Sequence, residues 1–275
     1  MDARRGFAQN HLCSCGQPFL VCPFWLAVRA RTALLDPAFP PANEMMQLEQ
    51  CLDRYRFVPR MHLPRLRTAT FDQKYHGLTS RLATWYSSIH QTAEGAIIID
   101  STKDPCYAHV LSTIPELNVG YVHLIRDSRG VAYSWTRPKP RPEITGWDAT
   151  MDVWSAKRSA IEWDVKYVFS TLLGWVRRER VISIQYESLV RRPEQALRAI
   201  ANLAAGLKMP PLGSRALDVA SDRYHSVSGN PIRFDRPPPQ FRLDDEWRTR
   251  MSPEDRLVVT ALTAPFLLTR RGTRT

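Results

Sequence analysis

Glycine is scarce in this chain. The 275 residues include only 12, and the first 100 hold Gly6, Gly16, Gly77 and Gly95 alone. No G-x-x-x-x-G-K-[ST] occurs anywhere, which excludes a Walker-type phosphate loop. Cysteine is sparser still. Five residues, Cys13, Cys15, Cys22, Cys51 and Cys106, are too few and too unevenly spaced for a disulfide framework, and they fit a reducing compartment. Three of them cluster as Cys13-x-Cys15-x6-Cys22, but only His11 lies near enough in sequence to be a fourth zinc ligand. The paired C-x2-C spacing of zinc ribbons is absent. The segment therefore reads as a tight turn around Gly16 and Pro18, with no metal.

Long apolar runs are missing too. No stretch approaches the roughly 18 to 20 residues that a membrane span needs, and MDARRGFAQNHLCSC lacks the apolar core of a secretory signal. The expected location is the cytoplasm. What the chain does have is positive charge: 38 Lys and Arg against 27 Asp and Glu leave a formal net charge of +11. Anions will be drawn to such a surface. The densest basic stretches are only RRER at 177–180 and RRGTRT at 270–275, and no aromatic-basic platform accompanies them. No nucleic acid partner is therefore expected.

The length suits one domain over residues 1–275. Residues 1–43 are irregular apart from a helix in CPFWLAVRARTALL, which Pro37, Pro40 and Pro41 terminate. Phe71, Tyr75, Leu78, Leu82, Trp85 and Ile89 recur at spacings of three and four, one face of an amphipathic helix that Gly95 breaks. Ala96 to Ile99 and Val119 to Ile125 predict strands buried on both faces. Each is followed by a helix, the second capped by Asp127 or Ser128. A long helical pattern between Pro142 and Arg180 leads to a third strand at 181–184, and Pro193 opens another helix. Residues 210–250 read as a long ordered loop, and a final helix starts at Ser252. Strand-loop-helix units in succession predict an α/β fold with a parallel sheet.

In such a sheet, ligands bind outside the carboxyl ends of the strands. The residues there are Asp100 to Lys103, Arg126 to Arg129 and Gln185 to Glu187. Arg126 sits at a strand end, and Ser134 lies about two turns into the helix that follows. A guanidinium fork and a hydroxyl donor in this arrangement suit a phosphate group.

At this point a family resemblance enters. IRDSRGVAYSW resembles the 3′-phosphate-binding segment of sulfotransferases that use 3′-phosphoadenosine-5′-phosphosulfate (PAPS). CSCGQPFLVCPFW, IIIDSTKDPCYAHVL, ISIQYESLVRRPEQALRAI, HSVSGNPIRF and EWRTRMSPEDRLVVTALTAPFL resemble segments of bacterial members, in the same order. The resemblance implies a three-layer, P-loop-like fold, a parallel sheet with helices on both faces. It implies PAPS as co-substrate without a metal, and a small-molecule, lipid or sugar acceptor. It makes Arg126 and Ser134 the 3′-phosphate ligands, Tyr186 a neighbour of the adenine, and Lys103 the catalytic cation near the sulfuryl group. Gly229, Asn230 and Arg233 would belong to the loop of residues 210–250 that covers the nucleotide.

One part of the family pattern is lacking. Members begin with a strand, a loop resembling G-x-x-R-S-G-[ST]-[ST] and a helix, which together hold the 5′-phosphosulfate. Residues 1–275 contain no such loop. Losing three charge-assisted hydrogen bonds would weaken donor binding by roughly 4 to 9 kcal/mol. The fold is thus expected to be N-terminally incomplete, either because the reading frame starts upstream of Met1 or because the chain is a non-catalytic relative. The expectation favours the upstream start. His225, near GNPIRF, is a candidate for the general base, while His109 and His123 read as structural.

Overall fold

A computed structural model of the chain describes residues 10–142, 144, 149–205, 225–226 and 242–269. They fall into two compact units. The first is built on residues 10–119 with 225–226, the second on 120–141, 149–205 and 242–269.

The first unit is helical. Helix α1 spans Pro23–Leu35, with proline in its first turn where no amide partner is needed. It stops at Asp36, which the following Pro37 holds in an extended conformation (φ −141°, ψ 91°). Helix α2 spans Ala42–Leu52 and buries Met45, Glu49 and Leu52 along one face. The short α3, Val58–His62, follows. The longest helix, α4, runs over Ala69–Thr92, capped by the Thr68 hydroxyl, which accepts from the Phe71 amide at 3.3 Å. All six apolar residues of the expected stripe, Phe71 to Ile89, are buried. The helix ends in two left-handed residues, Glu94 (φ 53°) and Gly95 (φ 84°), and the Gly95 amide donates to the carbonyl of His90 at 2.9 Å. Helix α5, Pro105–Ser112, is capped by Asp104. Trp25, Val28, Trp85 and Ile89 pack with Phe19 into the core between α1 and α4.

One expectation fails in this unit. Residues 96–99 form no strand; Ile99 is 87% exposed, and the segment pairs with no strand among the described residues. A run of isoleucines has a preference for extended structure but needs a neighbour to make a ladder.

The second unit holds the sheet. Strands β1, Tyr121–Ile125, and β2, Val181–Gln185, pair in parallel, with Tyr121 opposite Val181 and Ile125 opposite Gln185. The chain is thus α/β, with a two-stranded parallel sheet among the described residues. Strand β1 is not covered on both sides, as its continuous apolar run predicts: Val122 is 41% and Leu124 48% exposed, while Ile125 is buried. Tyr167 lies 5.7 Å from the His123 ring on the covered face.

Helix α6, Ser128–Trp135, is capped by Asp127, which accepts from the Arg129 amide at 3.0 Å. Helix α7, Ala156–Val176, is capped by Ser155. Helices α8 (Tyr186–Arg191), α9 (Pro193–Ala205), α10 (Trp247–Arg250) and α11 (Pro253–Thr269) complete the unit. Ala132, Ala156 and Ala160 let α6 and α7 approach closely around Trp247, Met251 and Val259. Ser128 and Thr263 share a buried hydrogen bond of 2.8 Å across α6 and α11. Among the described residues, no helix is long and apolar enough to cross a membrane.

Candidate functional site

The parallel register builds the site. Ile125 and Gln185 are the last paired residues of β1 and β2, so the next residue on each strand, Arg126 and Tyr186, leaves the sheet at the same end. The guanidinium carbon of Arg126 lies 4.9 Å from the centre of the Tyr186 ring. An aromatic face in this position orients the cation and shields one side of it from water.

The Arg126 side chain has further neighbours in the same unit. Its Nη2 donates to the carbonyl of Asp244 at 3.0 Å and pairs with the Asp244 carboxylate at 2.9 Å. Its own carbonyl accepts from the indole N–H of Trp163 at 3.1 Å, which ties the strand end to α7. Gly130, in the first turn of α6, leaves the room: a Cβ there would stand 3.2 Å from Arg126 Nε and 3.1 Å from the Trp247 ring.

Ser134 lies near the end of α6, and its hydroxyl accepts from the ammonium of Lys139 at 2.7 Å. A cation therefore stands beside the hydroxyl. Asp127, between these residues in sequence, is not free to repel an anion. Its carboxylate holds Arg129 in a two-point contact of 2.9 and 2.7 Å, and its amide donates to Glu187 at 3.0 Å. That hydrogen bonding to Asp127 raises the Arg129 guanidinium above its ordinary value. Arg129 also lies 4.4 Å from the Trp247 ring.

Lys103 belongs to the first unit and is exposed. The loop before it is shaped by Asp100, which accepts from the Thr102 amide at 2.7 Å and from the hydroxyl of Tyr86. Burial, with Tyr107 and Asp100 close by, pushes the Tyr86 hydroxyl well above its ordinary value, so it remains a donor. Gly229, Asn230 and Arg233 lie outside the described residues.

Three partners escape the sequence reading: Asp244, Lys139 and the Tyr86–Asp100 bond. The first two are charged residues just outside the segment IRDSRGVAYSW, or 118 residues from Arg126, and no spacing rule connects them to it. The histidines behave as structural groups. His109 is fully buried and bonded to His62 at 2.8 Å. Burial lowers His123 to about 4. His225 is also lowered by burial, and its Nδ1 faces cysteine sulfurs, 3.3 Å from Cys22 Sγ.

No family model, no curated protein and no solved structure matches this chain.

Proposed function

We propose that this chain is a sulfotransferase-like protein that binds the 3′-phosphate end of PAPS at Arg126, Ser134 and Tyr186. The observation that carries the reading is the convergence of Arg126 and Tyr186 at the carboxyl end of the β1–β2 ladder. This is where parallel sheets bind ligands. A fork of guanidinium donors, with a ring beside it for stacking, suits a phosphorylated nucleoside. Lys139, next to Ser134, adds a second positive charge suited to a dianionic phosphate.

In the proposed reaction, an acceptor hydroxyl or amine attacks the sulfur of PAPS. The S–O bond to the 5′-phosphate breaks, adenosine 3′,5′-bisphosphate leaves with the bonding pair, and the acceptor's proton passes to a base. Lys103 would neutralise charge developing on the leaving phosphate. This reading takes the two-stranded ladder as part of a three-layer, P-loop-like sheet. Acceptors would be small molecules, lipids or sugars. A second reading, 3′-phosphonucleotide binding without turnover, is favoured by the lack of an R-S-G-[ST] loop within residues 1–275.

The test is thermal denaturation with nucleotides. Adenosine 3′,5′-bisphosphate should raise the melting temperature, and 5′-AMP should not. Arg126→Ala should weaken binding by roughly 10- to 150-fold, the worth of one charge-assisted contact of about 1.5 to 3 kcal/mol. Equal stabilisation by 5′-AMP would sink the assignment. Turnover of PAPS then separates the two readings.

A further inference from the structure

Within the first unit, a second group of side chains converges that takes no part in the nucleotide reading. Leu12 and Pro18 form an antiparallel bridge, and the Cys13 amide donates to the carbonyl of Gln17 at 2.9 Å. The chain between them turns through Gly16, whose φ of +86° is readily available only to glycine, while its amide donates to the Cys13 carbonyl at 2.8 Å. Cys22 directly precedes α1. The turn expected around Gly16 and Pro18 is therefore present, and it brings three sulfurs together.

The fourth member comes from far along the chain. His225 Nδ1 lies 3.3 Å from Cys22 Sγ and 3.8 Å from Cys13 Sγ, and Cys15 Sγ lies 3.7 Å from Cys22 Sγ. All four donor atoms fall within 4.8 Å of one another. Four ligands on a tetrahedral zinc, with bonds of about 2.3 Å to sulfur and 2.0 to 2.1 Å to nitrogen, stand roughly 3.8 Å apart between sulfurs and 3.5 Å between sulfur and nitrogen. The observed separations bracket those values. A disulfide between Cys15 and Cys22 would need the sulfurs at about 2.05 Å, which they are not.

The surroundings hold His225 in this pose. Its ring stacks on Phe24 at 4.7 Å with an interplanar angle of 5°, and its carbonyl accepts from the indole of Trp25 at 3.1 Å. Ser226 is clipped to Ser14 by two hydrogen bonds, of 2.8 and 2.9 Å. Cys13 and Cys22 are fully buried, in the core with Phe19 and Trp25. Such neighbours fix the orientation of ligands around a metal.

We infer that Cys13, Cys15, Cys22 and His225 form a closed, four-ligand structural zinc site. Thiolate-rich sets select zinc over magnesium or calcium, and a full set of protein ligands leaves no open position for catalysis. Binding releases the thiol protons as the metal–sulfur bonds form. His225, not His11, is the histidine of the set.

The chain of residues 1–275, expressed in zinc-containing medium and purified without chelators, should carry about one zinc per chain by elemental analysis. Cys51→Ser should keep it; Cys22→Ser and His225→Ala should lose most of it. After chelation, cobalt(II) added to the wild-type chain should give the visible bands of a tetrahedral thiolate complex, and zinc should bleach them. That titration decides the matter even where a variant fails to fold. A folded wild-type chain that holds no zinc and yields no cobalt bands overturns the assignment, as does a Cys15–Cys22 disulfide in freshly purified protein. None of these readouts depends on nucleotide binding.

Discussion

Any phosphate approaching Arg126 meets a carboxylate already in place. Asp244 pairs with the guanidinium at 2.9 Å, and its side chain is 39% exposed against 22% for Arg126. An incoming dianion must displace that carboxylate, so the pair opposes binding by about its own stability. Partly exposed pairs contribute roughly 0.2 to 1 kcal/mol. Asp244→Asn, which keeps the backbone carbonyl contact, should therefore tighten adenosine 3′,5′-bisphosphate binding by up to about fivefold in calorimetric titration. Weaker binding would mean that Asp244 positions Arg126 more than it competes. His123 offers a separate residue-scale test through pH. Burial lowers it to about 4, while its ordinary value is about 6.5. Between those values the unfolded chain takes up a proton that the folded chain refuses, so stability falls as pH drops from about 6.5 and the loss levels off near 4. The full shift amounts to roughly 3 to 4 kcal/mol. His123→Leu should flatten that stretch of the denaturation-against-pH profile.

At the scale of elements, α6 shows how a local rule places a site. Asp127 caps the helix and holds Arg129 through both carboxylate oxygens. Asp127→Ala should cost about 1 to 2 kcal/mol in chemical denaturation, and Asp127→Asn should recover much of it, because asparagine caps as well as aspartate. A cost no greater than that of an ordinary surface change would mean that the cap is dispensable. This helix and its cap were legible in the sequence, as were helix α1, the buried stripe of α4 and the proline-led start of α9, since each rests on contacts within a few residues; β2 was legible too, and it has in β1 the partner its ladder needs. Helix α2 was not: ANEMMQLEQCL shows its face only when Met45, Glu49 and Leu52 are seen buried together. The strand expected at 96–99 failed for the opposite reason, a local preference lacking the neighbour that would satisfy it. The site divides the same way. Arg126 and Ser134 could be chosen from spacing, but Asp244 and His225 are joined to their partners across 118 and 203 residues, where spacing carries no information.

Across the whole molecule, the net charge of +11 makes anion attraction general, yet the positions that matter are locally balanced. Arg126 faces Asp244, Arg129 faces Asp127 and Arg137 faces Glu246 at 2.9 Å. In the proposed binding mode, attraction would bring a phosphate near and exchange of partners would decide whether it stays. The clip between Ser14 and Ser226 carries a further consequence, for the order in which the protein is made. The partners that complete the hydrogen bonding and the cysteine cluster of residues 10–25 are translated some 200 residues after them. At about 5 to 20 residues per second, that is an interval of roughly 10 to 40 s. Throughout it, three thiols and an aromatic core segment stand incomplete in the cell. The segment around Cys13 is finished only when residues 225–226 arrive.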